Sequence, residues 1–232
     1  MSRVIAGLVR HGDYHQLADT PSAWQPFALN ARGERQAREA APGLRADLAA
    51  AGWSLDPRVE CSRLLRAWQT AKILVDELPG SGPERFSISS HDALAERSVG
   101  SGANLTVAQI EAVLRDDPRF PPPPADWKSN SHYRLPLQGA ESLLEAGERV
   151  AAHLESSLDG LEGPGDCVRL FVGHGAAFRH AAFHLGVLEF AQIAELSMYH
   201  CRPVFIERLA PGRWRHVGGD WKIRRQNERY ID

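Results

Sequence analysis

The sequence is poor in cysteine, in long apolar runs and in surplus charge of one sign. Its three cysteines, Cys61, Cys167 and Cys201, are widely spaced and odd in number. No CxxC pair occurs among them, which leaves no basis for a disulfide framework or a zinc ribbon and points to a reducing cytoplasm. No segment is long enough to span a bilayer, and the short apolar run of "MSRVIAGLV" carries no cleavage site, so neither a membrane anchor nor a signal peptide is expected. The formal net charge is only -2, which argues against a broad nucleic-acid surface. No internal repeat is visible. What remains is ordinary globular composition: 232 residues, 43% hydrophobic and 24% charged.

Strand and helix signals alternate along the chain. Val4 to Val9 is an apolar strand bounded by Arg10-His11-Gly12. "PFALNARGERQAREAAPGLRADLAAAG" reads as a helix, with an N-cap in Asn30 and a stop in Gly52 and with Pro42-Gly43 expected to interrupt it. "RVECS" is a second strand. "RLLRAWQTAKILVDEL" is a helix whose apolar face is predicted at Leu64, Trp68, Ala71, Val75 and Leu78. "RFSISSHDAL" is a third strand, "NLTVAQIEAVLRDD" a short helix and "ESLLEAGERVAAHLESSL" a longer one. "CVRLFVGHG" is a buried strand, "AAFRHAAFHLG" and "FAQIAELSMYH" are helices, and "RPVFIERLA" is a late strand that pairs with "GRWRHV". This alternation predicts a parallel or mixed sheet covered on both faces. Residues 97–140 carry no strand signal, include four consecutive prolines and are expected to form an insertion over the sheet's edge within a single domain, 1–232.

Two strands end almost alike, in "LVRHG" and "FVGHG". Ligands in such sheets bind beyond the carboxyl ends of the strands. If the two strands are neighbours, His11 and His174 face one pocket. The following glycines let the backbone turn, and the second turn runs into a helix whose free N–H groups suit an anion. Arg10 adds a fork of donors. Arg63 and Arg66 sit at the start of a helix, where acidic residues are normally preferred. As a surface pair they would be unremarked; alternatively Arg66 reaches inward to the same anion.

"LVRHG", "CSRLLRAWQTA", "LAERSVG" and "VGHGAAFR", in this order, resemble the histidine phosphatase superfamily, in the branch containing cofactor-dependent phosphoglycerate mutase. "LNARGERQA" and "GAESLLEAGERV" are similar to two of its helices. The resemblance implies a three-layer α/β sandwich with a mostly parallel central sheet, helices on both faces and a cap insertion. It implies that His11 is a nucleophile that becomes phosphohistidine, that Arg10, Arg66 and His174 bind the phosphoryl oxygens with Gly175 beside them, and that Glu96 protonates the leaving group. No metal and no cofactor enter this scheme. The chemistry is coherent on its own terms: phosphoryl transfer needs charge neutralisation and in-line geometry, and an alkoxide leaving group needs an acid.

Departures from the mutase pattern favour hydrolysis. Tyr14 stands where mutases have Ser, Leu17 where they have Asn, Val99 where they have Tyr and Ala176 where they have Asn. The insertion lacks the adjacent arginine pair of the mutases. Tyr14 and His15 are similar to the family's phosphoprotein phosphatases, so a phosphorylated small molecule and a phosphopeptide both fit as substrate. Arg97, Lys128, His132 and Arg134 are expected rim contacts. The alternatives are mutase-type phosphoryl transfer, a phosphate-binding module with little turnover, and a metallohydrolase using His180 and His184, four apart in a mostly apolar helix without HExxH. The tail "WKIRRQNERYID" could be ordered by a partner in a homodimer.

Overall fold

A computed structural model describes residues 2–78, 85–161 and 165–224. Its main sheet has strands β1 (Val4–Arg10), β2 (Ser54–Ser62), β3 (Ser87–His91), β4 (Cys167–Gly173), β6 (Pro203–Ala210) and β7 (Arg213–Gly218), in the order β3-β2-β4-β1-β6-β7. β1, β2, β3 and β4 pair in parallel; β6 joins β1 antiparallel and β7 joins β6 antiparallel. A separate two-stranded ribbon joins β5 (Leu196–Met198) to β8 (Trp221–Ile223).

Period-two alternation divides the strand residues between two cores. Ile5, Val9, Val59, Cys61, Val168, Leu170 and Val172 pack under α1 (Ala31–Ala51) and α2 (Leu65–Asp76). Ala6, Leu8 and Phe171 pack on the other face under α4 (Leu143–Ser157) and α5 (Gly175–His184). Because both faces are covered, β1 reads as a continuous apolar run and β4 as one broken only by Arg169, which is buried against Asp56. The layer order is helix, sheet, helix, a three-layer α/β fold of the phosphoglycerate mutase type.

Both long helices start on side-chain caps. Asn30 accepts from Gly33 N at 2.9 Å, and Ser142 forms a reciprocal capping box with Glu145. Gly52 closes α1 at φ 68°. Pro42 does not interrupt α1, contrary to expectation. It lies on the exposed side, where the carbonyl it leaves without a donor can be hydrated, while Ala37, Ala41, Leu44 and Leu48 keep the buried face continuous across it. The apolar face of α2 is also rotated from the predicted one. Trp68 is 40% exposed, and Ala67, Thr70, Ala71, Leu74 and Val75 are buried, together with Arg66. The expected helix over residues 190–200 is short: α6 ends at Glu195, and Leu196–Met198 leave it to pair with β8.

The insertion carries α3 (Val107–Asp116) and a core of its own around Ile110, Leu114, Trp127 and Leu135. Its two ends are pinned by a bridge between Val99 and Ala140 and by Glu141 N donating to Ser98 O. It does not lie over the sheet's edge. Val107 N donates to Asp19 O, in the loop after β1, and Ser131 Oγ meets His180 Nε2 on α5. The insertion therefore leans over the loop and the helix that extend from the two central strands.

Candidate active site

The β1–β4 pairing in register, Arg10 opposite Gly173, brings His11 and His174 together with ring centroids 5.0 Å apart. Both rings are buried, at 3% and 0% exposure. The turn after β1 depends on close backbone approach: a Cβ on Gly12 would lie 2.6 Å from the carbonyl oxygen of Gly33 in α1. Gly12 N donates to Thr70 Oγ1, which in turn donates to Arg66 O. α2 therefore holds the turn that carries His11.

The hydrogen bonds define the tautomers. Nδ1–H of His11 donates to Gly12 O at 2.7 Å, which leaves Nε2 unprotonated; Arg66 Nε donates to it at 3.2 Å. His174 Nδ1 accepts from Arg66 Nη2 at 3.3 Å, so its Nε2–H points to Ser62 Oγ at 2.9 Å. Burial, reinforced by the positive charge of Arg66 and Arg10, holds both imidazoles well below the ordinary histidine pKa. Both rings are neutral at neutral pH.

Arg66 does reach inward and is fully buried. Its remaining donors go to Gln25 O at 2.7 Å and Ala23 O at 2.9 Å, in the segment that covers the pocket. Its guanidinium also lies 4.5 Å from the centre of the Tyr14 ring. Arg63, by contrast, is exposed and pairs with Asp92 at 3.1 Å. Arg10 Nη1 donates to Met198 O at 3.2 Å, and its side chain runs against Gly175, where a Cβ would meet Arg10 Cδ at 3.2 Å. Glu96 is 5% exposed. Its Oε1 accepts from Arg97 N at 2.9 Å and from Ala177 N, in the first turn of α5, at 3.2 Å. That places the carboxyl at the helix N-terminus that begins after His174. Trp24 Nε1 donates to Glu96 O at 2.8 Å.

The expected rim residues divide. Tyr14 is buried, its hydroxyl on Ser22 Oγ at 2.8 Å and its ring edge-on to His11, so it is a wall of the pocket. His15 is exposed. Arg97 is buried rather than at the rim, 6.0 Å over the Trp127 ring. Lys128 lines a cavity of about 890 Å³ between the insertion, the loop after β1 and α5. His132 packs on Phe190, and Arg134 pairs with Glu145. Ala176, two residues after His174, lines the cavity, and none of Arg10, His11, Arg66, Glu96 or His174 does. His180 and His184 do not form a metal pair: His180 donates from Nδ1 to Ala176 O and meets Ser131, and His184 meets Leu144 O. Burial lowers the His180 pKa to about 4.

Several contacts at the site are not singled out by the sequence, although Ser62 and Thr70 lie within "CSRLLRAWQTA". Ser62 and Thr70 are reached only through the fold. His200 donates from Nδ1 to His11 O at 2.6 Å, placed there because β5 ends two residues earlier.

Two buried histidines at the ends of adjacent parallel strands are flanked by arginines and by a carboxyl at a helix N-terminus, a set of groups suited to an anion, in a three-layer α/β fold. The sequence profile of the histidine phosphatase superfamily (branch 1) matches residues 7–218, and the chain belongs to that superfamily. Among curated proteins none matches it by sequence. Similar solved structures include a mycobacterial glucosyl-3-phosphoglycerate phosphatase, with 22% identity, a TM-score of 0.63 and coverage of 93% of this chain and 96% of that one. A phosphoserine phosphatase mutant from Entamoeba histolytica, in complex with phosphoserine, has 16% identity, a TM-score of 0.64 and coverage of 93% and 95%. A putative alpha-ribazole-5'-P phosphatase from Escherichia coli has 17% identity, a TM-score of 0.62 and coverage of 95% of each chain. The superfamily and these neighbours are phosphatases, that is, phosphoric monoester hydrolases.

Proposed function

We propose that the protein hydrolyses a small phosphomonoester in two in-line steps through phosphohistidine on His11. The observation that carries this reading is the state of His11: neutral, with Nδ1–H fixed on Gly12 O and Nε2 bearing its lone pair beside Arg66. In the first step Nε2 attacks phosphorus, the phosphorus–oxygen ester bond breaks, and Glu96 gives its proton to the departing alkoxide. In the second, the Glu96 carboxylate takes a proton from water, the oxygen attacks phosphorus, and the phosphorus–nitrogen bond breaks to restore His11 and release phosphate. Arg10 and Arg66 neutralise the equatorial oxygens and the N–H groups at the start of α5, beside Gly175, donate to them; the His174 ring joins them by taking a proton on Nδ1 once Arg66 turns from it to the phosphoryl group. No step requires a metal or a cofactor.

The pocket is covered as it stands. Arg66 is committed to the carbonyls of Ala23 and Gln25, and Trp24 to the carbonyl of Glu96, so the 20–26 segment must yield for a phosphoryl group to reach Arg66. The leaving group is assigned to the cavity under the insertion, with Lys128 as its exposed cation and Arg97, His15 and the Tyr14 ring nearer the phosphoryl end. A cavity of this size beside the insertion accommodates a small molecule, and the small-molecule esters named for the neighbours favour that over a phosphopeptide. The three cysteines are free and buried, in keeping with a cytoplasmic enzyme. The test is a substrate panel assayed without added metal, containing sugar phosphates, phosphoglycerates, phosphoserine and phosphopeptides. The reading expects turnover of a small phosphomonoester that EDTA leaves unchanged. Preference for phosphopeptides would overturn the substrate assignment, and EDTA-sensitive turnover would overturn the mechanism.

A further inference from the structure

Glu60, His91 and His153 meet beside the phosphoryl pocket but outside it, on the face of the sheet that carries α4, two residues along β2 from Ser62, which meets His174. Glu60 lies near the carboxyl end of β2, its side chain turned away from the face of Val59 and Cys61. His91 ends β3, the next strand, paired opposite Ser62. His153 comes from α4. Glu60 Oε2 is 2.7 Å from His153 Nε2 and 3.5 Å from His91 Nε2, and the two imidazole centroids are 4.6 Å apart. One ligand atom from each residue lies within 4.8 Å of the other two.

We propose that these three side chains bind one divalent transition-metal ion of the zinc type. Two imidazole nitrogens and a carboxylate oxygen are a donor set suited to that class. Zinc bonds of about 2.0–2.2 Å separate tetrahedral ligands by roughly 3.3–3.5 Å, so the Glu60–His91 spacing of 3.5 Å already fits and the Glu60–His153 contact of 2.7 Å must open by about 0.6–0.8 Å. The other carboxylate oxygen is held independently: Ser157 Oγ donates to Glu60 Oε1, and Arg169 Nη1 lies 3.6 Å from it, with Arg169 itself paired to Asp56. Such outer contacts orient a ligating carboxylate. The His91 side chain is 36% exposed, which provides an entry path and leaves a fourth position for water.

The ion would tie β2, β3 and α4 together at the base of the segment leading to Glu96. Arg149, one turn before His153, already holds the carbonyls of Asp92, Ala93 and Ala95 in that segment. The ligands are far apart in sequence, at 60, 91 and 153, and match no short motif. The ion takes no part in the phosphoryl chemistry proposed above.

The test is calorimetric titration of Zn²⁺ into the full-length protein after chelation and removal of the chelator, with bound zinc counted after gel filtration. Wild type and His11→Ala should each take one equivalent with micromolar or tighter affinity. His91→Ala removes a solvent-accessible side chain from an edge strand and should stay folded. Losing an outer contact typically costs 10-fold to 100-fold in metal affinity, so losing a ligand should weaken binding by more than about 100-fold. Zinc should raise the thermal midpoint of wild type and leave that of His91→Ala unmoved. A wild type that takes up no zinc, a full equivalent retained by His91→Ala or Glu60→Gln, or loss of the equivalent in His11→Ala would each overturn the proposal.

Discussion

Replacing Arg66 by Ala tests two functions that the fold assigns to one side chain. Its guanidinium bonds Gln25 O at 2.7 Å and Ala23 O at 2.9 Å, and contacts His11 and His174 at 3.2 and 3.3 Å. Hydrogen bonds from a charged donor contribute about 1.5–3 kcal/mol each, so losing the two good carbonyl bonds removes about 3–6 kcal/mol. Burying the guanidinium costs several kcal/mol, which the variant recovers. With about 3 kcal/mol of that recovered, the net loss of stability should be at most about 3 kcal/mol, read as a lower denaturation midpoint in urea. Catalysis should fall further: removing one preorganised donor from a developing oxyanion costs about 10²–10³ in turnover. Vanadate inhibition should weaken alongside it. Arg66→Lys keeps the charge, but one ammonium cannot serve two carbonyls and two imidazoles, so it should rescue stability in part and turnover little. Arg63→Ala is the control: that residue is exposed, pairs only with exposed Asp92 among the ion pairs described, and should leave turnover within a few-fold of wild type. A folded Arg66→Ala that binds vanadate as tightly as wild type and turns over at a similar rate would refute the reasoning.

Glu96→Gln should slow the first-step release of alkyl leaving groups more than that of activated aryl ones, because an acidic phenol departs with little help. Single-turnover rates on the two ester types check this, and equal losses would leave Glu96 a purely structural role. The buried, neutral state of His11, His174 and His180 makes stability pH-dependent. Their folded pKa values lie below the unfolded 6.5, so below that pH the unfolded chain binds more protons. The slope should approach about 1.4 kcal/mol per pH unit for each of these histidines, lost on acidification, which urea titrations at pH 7.5 and 5.5 will show. Flat stability across that range would contradict their burial. Ser62→Ala removes the acceptor of the His174 Nε2–H and should lower kcat while leaving His11 phosphorylatable; wild-type kcat would remove Ser62 from the site.

The central strands and their functional ends were legible because β1 and β4 are buried on both faces and carry largely apolar runs, interrupted only by Arg169 in β4, that end at His-Gly. Arg10, His11, Arg66 and His174 came from those ends and from the helix start after β2, since adjacency of the strands was enough to bring them together. Less was visible where tertiary packing overrides a local rule. Pro42 sits on the wet side of α1, and α2 is turned so that Arg66 and Thr70 face the pocket at the cost of exposing Trp68. β5 replaces the end of a helix because β8 offers it a partner, and that exchange is what delivers Met198 O to Arg10 and His200 to His11. Asp13 and Glu141, the other acids near these motifs, are already committed. Asp13 accepts from Tyr14 N and Asn30, and Glu141 from Ser98 N and both ends of the Arg149 fork. None of those bonds can be read from composition or spacing.

The covalent step is the centre of the account, and rapid-quench trapping addresses it most directly. The protein is mixed with a ³²P-labelled aryl phosphate, stopped in alkali within the first turnover, and digested for mapping of the labelled peptide. The account predicts label that is stable to alkali and labile to acid, on the peptide carrying His11, absent in His11→Ala and longer-lived in Glu96→Gln. Turnover with no trapped label in either wild type or Glu96→Gln, or label on another residue, would contradict it.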